Sequence, residues 1–209
     1  MALSTYTHAF DPGDGRDERT LILLHGTGDN EQSFLRLGRA VAPKAAKIAL
    51  RGNVYENGMA RFFRRTGEGI YDMDDLALRT GQLDSFVNAA LIHYGRGREQ
   101  AVGVGYSNGA NILANLLFEN PETLPQMVLM HPLIPFDPAL KPAAKGARVL
   151  VTSGACDPIS PASSTDRLED ALIDAGVRLQ RYRHPGGHEI RMEEVDAIQA
   201  WLGTAKAAA

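Results

Sequence analysis

A chain of 209 residues with a net charge of −3 and a charged fraction of 22% has the size of one domain and an ordinary globular composition. Acidic and basic residues are interspersed, with no basic tail or stripe, which excludes nucleic acid from the expected partners. The only cysteine, Cys156, rules out an internal disulfide, and there is neither a signal-peptide pattern nor an apolar run of the roughly 18 residues a membrane helix needs. The expectation is a cytoplasmic protein without membrane insertion, built as a single domain over residues 1–209.

The predicted elements alternate along the chain. Residues 21–24 form a buried strand, followed by a helix over 33–42 with Ser33 as N-cap and Pro43 as stop. A strand at 48–50 precedes a helix at 74–94, where Leu76, Leu83, Val87, Ala90, Leu91 and Tyr94 share one face. Then come a strand at 101–104, a helix at 108–119, and strands at 127–130 and 149–151. A helix at 161–175, an alternating strand at 177–182 near the sheet edge, and a helix at 189–201 complete the set, with a fraying alanine-rich tail. Continuous apolar strands separated by amphipathic helices predict an α/β fold with a mostly parallel, doubly wound sheet. The connection over 131–148 is short and carries Pro132, Pro135, Pro138 and Pro142, so it has no room for a helical cap domain, and an open site is expected.

The chemistry begins at Gly105-Tyr106-Ser107-Asn108-Gly109, a G-x-S-x-G string. Such a string arises by chance, but here it directly follows a predicted strand and opens a predicted helix, the setting of a nucleophile elbow. A serine hydroxyl needs a base, and the base needs an orienting acid, in the chain order Ser, acid, His. Asp157, just past a strand in Cys156-Asp157-Pro158, and His188, in Pro185-Gly-Gly-His188, satisfy that order. Asp137 is the rival acid and His184 the rival base. His184 and His188 lack a third ligand at metal-site spacing, so no metal is expected. His25-Gly26-Thr27-Gly28-Asp29 ends the first apolar strand, and the amides of Thr27 and Asn108 are the expected oxyanion hole. The sequence lacks both common phosphate-loop patterns, which excludes a nucleotide reading of this glycine-rich turn, and His25 reads as structural.

With these motifs in view, the chain resembles the carboxylesterase/phospholipase branch of the α/β-hydrolases, which includes acyl-protein thioesterases and small bacterial carboxylesterases. The resemblance rests on His25 to Asp29, Arg51-Gly52-Asn53, Gly105 to Gly109, Asp157-Pro158 and Gly187-His188. The segment from Arg51 to Arg65 is similar to a loop of a bacterial subgroup. The resemblance implies the α/β-hydrolase fold with an eight-stranded, mostly parallel sheet, no cofactor, often a homodimer, and a small-molecule ester substrate.

Asn108 after the elbow serine, and the arginines Arg61, Arg64 and Arg65, depart from the acyl-protein thioesterases and argue against long-chain substrates. Tyr55, Met59, Phe62, Phe63, Leu133 and Ile134 are the candidates for pocket lining, with core packing the alternative for the Phe pair. The expected activity is a carboxylesterase. An acyl-thioesterase or lysophospholipase with the same triad is the near alternative, and a non-catalytic ligand-binding homologue the distant one.

Overall fold

The computed structural model describes residues 2–67 and 69–204; the tail expected to fray lies outside them from 205 onward. A 3₁₀ turn, Ala2–Thr5, leads into β1 (His8–Asp11), β2 (Thr20–Leu24), α1 (Glu31–Val41) and β3 (Ala46–Leu50). Two hairpins follow, β4 (Val54–Glu56) with β5 (Met59–Arg61), and β6 (Arg65–Gly67) with β7 (Ile70–Tyr71). Next come α2 (Met73–His93), β8 (Ala101–Tyr106), α3 (Asn108–Glu119) and β9 (Gln126–Met130). The chain closes with β10 (Arg148–Gly154), α4 (Ala162–Asp174), β11 (Arg178–His184) and α5 (Met192–Gly203).

Among the described residues the central sheet has seven strands in the order β1-β3-β2-β8-β9-β10-β11, one fewer than the resemblance implies. All neighbours pair parallel except β1, which runs antiparallel to β3. The apolar runs are continuous because both faces are covered. On β2, Leu21 and Leu23 face a layer with Phe34 and Leu35 of α1 and Val195, Ile198 and Trp201 of α5. Ile22 and Leu24 turn the other way, into a layer with Leu83 and Phe86 of α2 and Ile112 and Leu113 of α3. Each fully buried leucine contributes about 1.5–3 kcal/mol, so the two layers hold the sheet from both sides. β11 pairs on one side only, consistent with its alternating sequence.

One boundary differs from the sequence reading. Asn30, not Ser33, caps α1: its side chain accepts the amides of Gln32 and Ser33 at 2.9 and 3.1 Å. Ser33 is already in the first turn, and its hydroxyl donates to Asp29.

The topology places the site. From β2 the chain steps outward to β3, then returns to the opposite side of β2 with β8. The turns after β2 and β8 therefore leave the sheet at a switch point, where a crevice opens beyond the strand ends. The connection between β9 and β10 holds only a 3₁₀ turn, Pro142–Ala144, and no cap domain. Among the described residues, no helix is long and apolar enough to cross a membrane.

Candidate active site

Ser107 occupies the turn between β8 and α3 with φ 51° and ψ −116°, a left-handed conformation that costs a non-glycine residue about 1–3 kcal/mol. The turn is this tight because Gly105 and Gly109 carry no side chain. A Cβ on Gly105 would lie 2.6 Å from the Gly109 carbonyl carbon, and one on Gly109 would overlap the Leu24 carbonyl. The Ser107 amide donates to the Met130 carbonyl at 2.8 Å, hooking the elbow to β9.

His188 Nε2 lies 2.9 Å from Ser107 Oγ, and its Nδ1 lies 2.7 Å from Asp157 Oδ2. A ring that donates from Nδ1 to the carboxylate leaves Nε2 to accept the serine proton. Asp157 stands just beyond β10 and is saturated with donors. Its Oδ1 accepts the amides of Ile159 and Ser160, both at 2.9 Å, and its Oδ2 accepts from His188 and also from His131 Nδ1 at 2.9 Å. Burial opposes the Asp157 charge, but the Ser160 amide and the two imidazoles outweigh it and hold the carboxyl below its ordinary range. Asp137, the rival acid, lines a separate groove with Phe136 and Arg167.

His131 is the residue that sequence reasoning missed. It follows β9 with φ 51° and is fully buried. Its Nε2 faces the buried Glu194 at 3.4 Å and His184 Nε2 at 3.4 Å. Burial works against a charged His131, yet Glu194 and Asp157 prevail and raise its pKa. The signal was available: a histidine directly after an apolar strand sits where sites of this fold class collect.

His131, His184 and Glu194 bring possible ligand atoms within 4.8 Å of one another. His184 Nδ1 accepts the Gly186 amide at 3.1 Å and His131 Nδ1 donates to Asp157, so both rings turn Nε2 towards Glu194.

Thr27 and Asn108 line the cleft beside Ser107 from two different elements. Asn108 opens α3, where the first N–H groups have no acceptor within the helix. The hairpin β4–β5 braces both positions: Phe62 N–H donates to Asn108 Oδ1 at 2.7 Å, Arg61 Nη1 to Thr27 Oγ1 at 2.7 Å, and Gly28 N–H to the Ala60 carbonyl at 2.9 Å. Tyr106 also acts on the site from behind, its hydroxyl donating to the His188 carbonyl at 2.6 Å. His25 is held between the Gly26 carbonyl and the Gly52 amide, and burial lowers its pKa, which fits the structural role expected of it.

A cleft of about 450 Å³ opens over Ser107 and His188, and Thr27, Asn108 and Leu133 are part of its lining. The other pocket candidates lie elsewhere. Phe62 and Phe63 are wholly buried in the core, and Ile134 also packs there, because the segment after β5 folds inward over α2 and α3. Tyr55 is 64% exposed on the hairpin and Met59 is also exposed, packing over the turn at Gly28. The walls are formed instead by Arg61, Arg65, Tyr71, Tyr106, Asn111 and Ile159.

The family model described as Phospholipase/Carboxylesterase matches residues 8–206. MhqD of Bacillus subtilis (strain 168), a hydrolase by its name, is 38% identical over 187 residues, covering 90% of this chain and 94% of that protein. The crystal structure of the Bacillus cereus carboxylesterase superposes with a TM-score of 0.91 at 37% identity, over 97% of this chain and 95% of that one. A protein of unknown function from Agrobacterium tumefaciens strain C58 is 45% identical, with a TM-score of 0.87 over 98% of each chain. These likenesses identify the sheet and its helices as the α/β-hydrolase fold.

Proposed function

This chain belongs to the phospholipase/carboxylesterase family of hydrolases, and from that premise we propose that it is a serine carboxylesterase acting on small to medium esters. The observation that carries the reading is the hydrogen-bonded row from Ser107 through His188 to Asp157, at 2.9 and 2.7 Å. Ser107 Oγ attacks the ester carbonyl as His188 Nε2 takes its proton. Asp157 holds the ring and stabilises the imidazolium that forms. The tetrahedral oxyanion is met by the amides of Thr27 and Asn108, and losing one such donor typically costs about 10²–10³ in rate. His188 returns the proton to the departing alcohol, then activates water to release the acid from Ser107.

The substrate size follows from the cleft. At about 450 Å³, with Arg61, Arg65, Asn111 and the Tyr71 hydroxyl in its walls, it favours short acids over long alkyl chains. A thioesterase or lysophospholipase would use the same row, and a chain-length series of esters and thioesters separates the two readings. A preference beyond about ten carbons would favour the alternative, which needs a long apolar channel.

The direct test is Ser107→Ala, assayed on p-nitrophenyl acetate and butyrate, with turnover expected to fall to background. Undiminished turnover would remove Ser107 from the mechanism. Labelling of Ser107 by a fluorophosphonate separates an enzyme from a ligand-binding homologue with an idle triad, which would stay unlabelled.

A further inference from the structure

We propose that the ester carries a free carboxylate, bound by Arg65 together with Arg61 at the hairpin wall of the cleft; this rests on the esterase reading of Ser107 and names its substrate class. The case is a charge imbalance. Arg64 is outside the cleft lining and pairs with two carboxylates, Asp72 at 3.1 Å and Asp75 at 3.5 Å, the latter shared with Arg79. Arg61 and Arg65 face the cleft and share one, Glu56, at 3.4 and 2.9 Å. Among the described residues lining the cleft there are two arginines and no aspartate or glutamate. The nearest acid of the triad, Asp157, is buried behind His188 and already accepts from two imidazoles.

The two guanidiniums are built into the wall in different ways. The Arg61 side chain is only 5% exposed, and it is fixed through Nε to the Phe63 carbonyl at 3.3 Å and through Nη1 to Thr27 at 2.7 Å. Burial and then the neighbouring Arg65 disfavour its charge, so an anion arriving from the cleft relieves an existing repulsion. Arg65 is 30% exposed and spends Nε on both Glu56 oxygens, at 2.9 and 3.1 Å. An arginine tied at Nε can still offer its Nη donors to a planar carboxylate. Arg61 is joined through Thr27 to the loop beside the serine, and Arg65 lines the same cleft, so a short molecule in that cleft can present its carboxylate to the arginines and its ester carbonyl to Ser107. Half-esters of short dicarboxylic acids and esters of short hydroxy acids meet that description.

The test uses the full chain and pairs of esters equal in shape but not in charge, followed by pH-stat titration. Monoethyl succinate is set against ethyl 4-methylpentanoate, and acetoxyacetate against isobutyl acetate; the pairs place the carboxylate in the acyl and alcohol halves respectively. In at least one pair kcat/KM should favour the charged member by about tenfold or more, the factor one charge-assisted hydrogen bond supplies. The preference should shrink with added salt. Arg65→Gln should bring that ratio towards one, and Arg65→Lys should retain part of it. Equal rates within both pairs, or a ratio that Arg65→Gln leaves untouched, would overturn the carboxylate proposal while the esterase reading stands. A variant that lowers both members equally also counts against it, because that is a structural effect. No hydrolysis of any of the four, with Ser107 unlabelled by a fluorophosphonate, would bring down both readings.

Discussion

The two walls of the cleft are made by different means. The wall formed by the ends of β8, β9 and β10 places Ser107, His188 and Asp157 through backbone geometry that a parallel sheet supplies: an elbow, a strand end and a tight turn. The wall formed by the two hairpins is small, outside the central sheet, and tied to it through side chains and single amides at Thr27, Gly28 and Asn108. The first wall has the features of a reaction centre common to the fold. The second has the features of a selector, since its arginines and Tyr71 line the cleft from outside the central sheet. If that division is right, damage to the first wall should abolish turnover, and damage to the second should redistribute it among substrates.

After the loss of Ser107 itself, the largest effect is expected at the acid. Asp157→Asn should lower kcat by about 10⁴, as loss of the correct histidine tautomer does in other triads, with KM little changed; steady-state kinetics on p-nitrophenyl acetate measures this.

Behind the same wall, His131→Gln removes an imidazole that pairs with both buried carboxylates, Asp157 and Glu194, and should cost about 3–5 kcal/mol of stability, read from denaturant melts. The pH dependence follows from the directions of two shifts. His131 has its pKa raised above 6.5 on folding, so its contribution is complete below 6.5 and is lost as pH climbs through the folded value. Asp157 has its pKa depressed below 3.8, so its contribution is present above 3.8 and is lost as pH falls through the folded value. Thermal melts of the wild type should therefore decline on the alkaline side, and His131→Gln should flatten that limb while keeping the acid one. An alkaline limb of unchanged steepness would remove His131 from the account.

On the hairpin side, Asn108→Ala orphans the buried Phe62 amide and should cost about 1–3 kcal/mol of stability. Its effect on kcat should exceed its effect on KM, because the lost side chain braces the turn whose backbone amide is proposed to meet the oxyanion. The smallest effect is expected for Tyr106→Phe. Loss of the bond to the His188 carbonyl removes about 0.5–1.5 kcal/mol, a tenfold drop in kcat at most, without altering the preference between substrates.

Legibility in the sequence follows the same division. Ser107, Asp157 and His188 were readable because each stands at a strand end in a local pattern, and their chain order is constrained by the fold. The hairpin wall was read as a loop, although Asn57-Gly58 is a strong signal for a two-residue turn between paired strands; Asn57 has φ 52° and Gly58 φ 81°. With that turn unrecognised, the direction of each side chain from Tyr55 to Phe63 is undetermined, which leaves pocket and core both open for the aromatic pair. β1 went unread because its four residues are all half-buried and show no apolar run.

Composition and periodicity determined the layered α/β architecture, because continuous apolar strands between amphipathic helices leave few other ways to bury both faces of a sheet. The elbow, the strand-end acid and the glycine-rich histidine loop were likewise local matters. Only the folded chain decided that His131 and Glu194 stand behind Asp157. That placement depends on residues tens of positions apart meeting through the sheet order, and burial and charge balance are properties of that meeting rather than of any stretch of sequence.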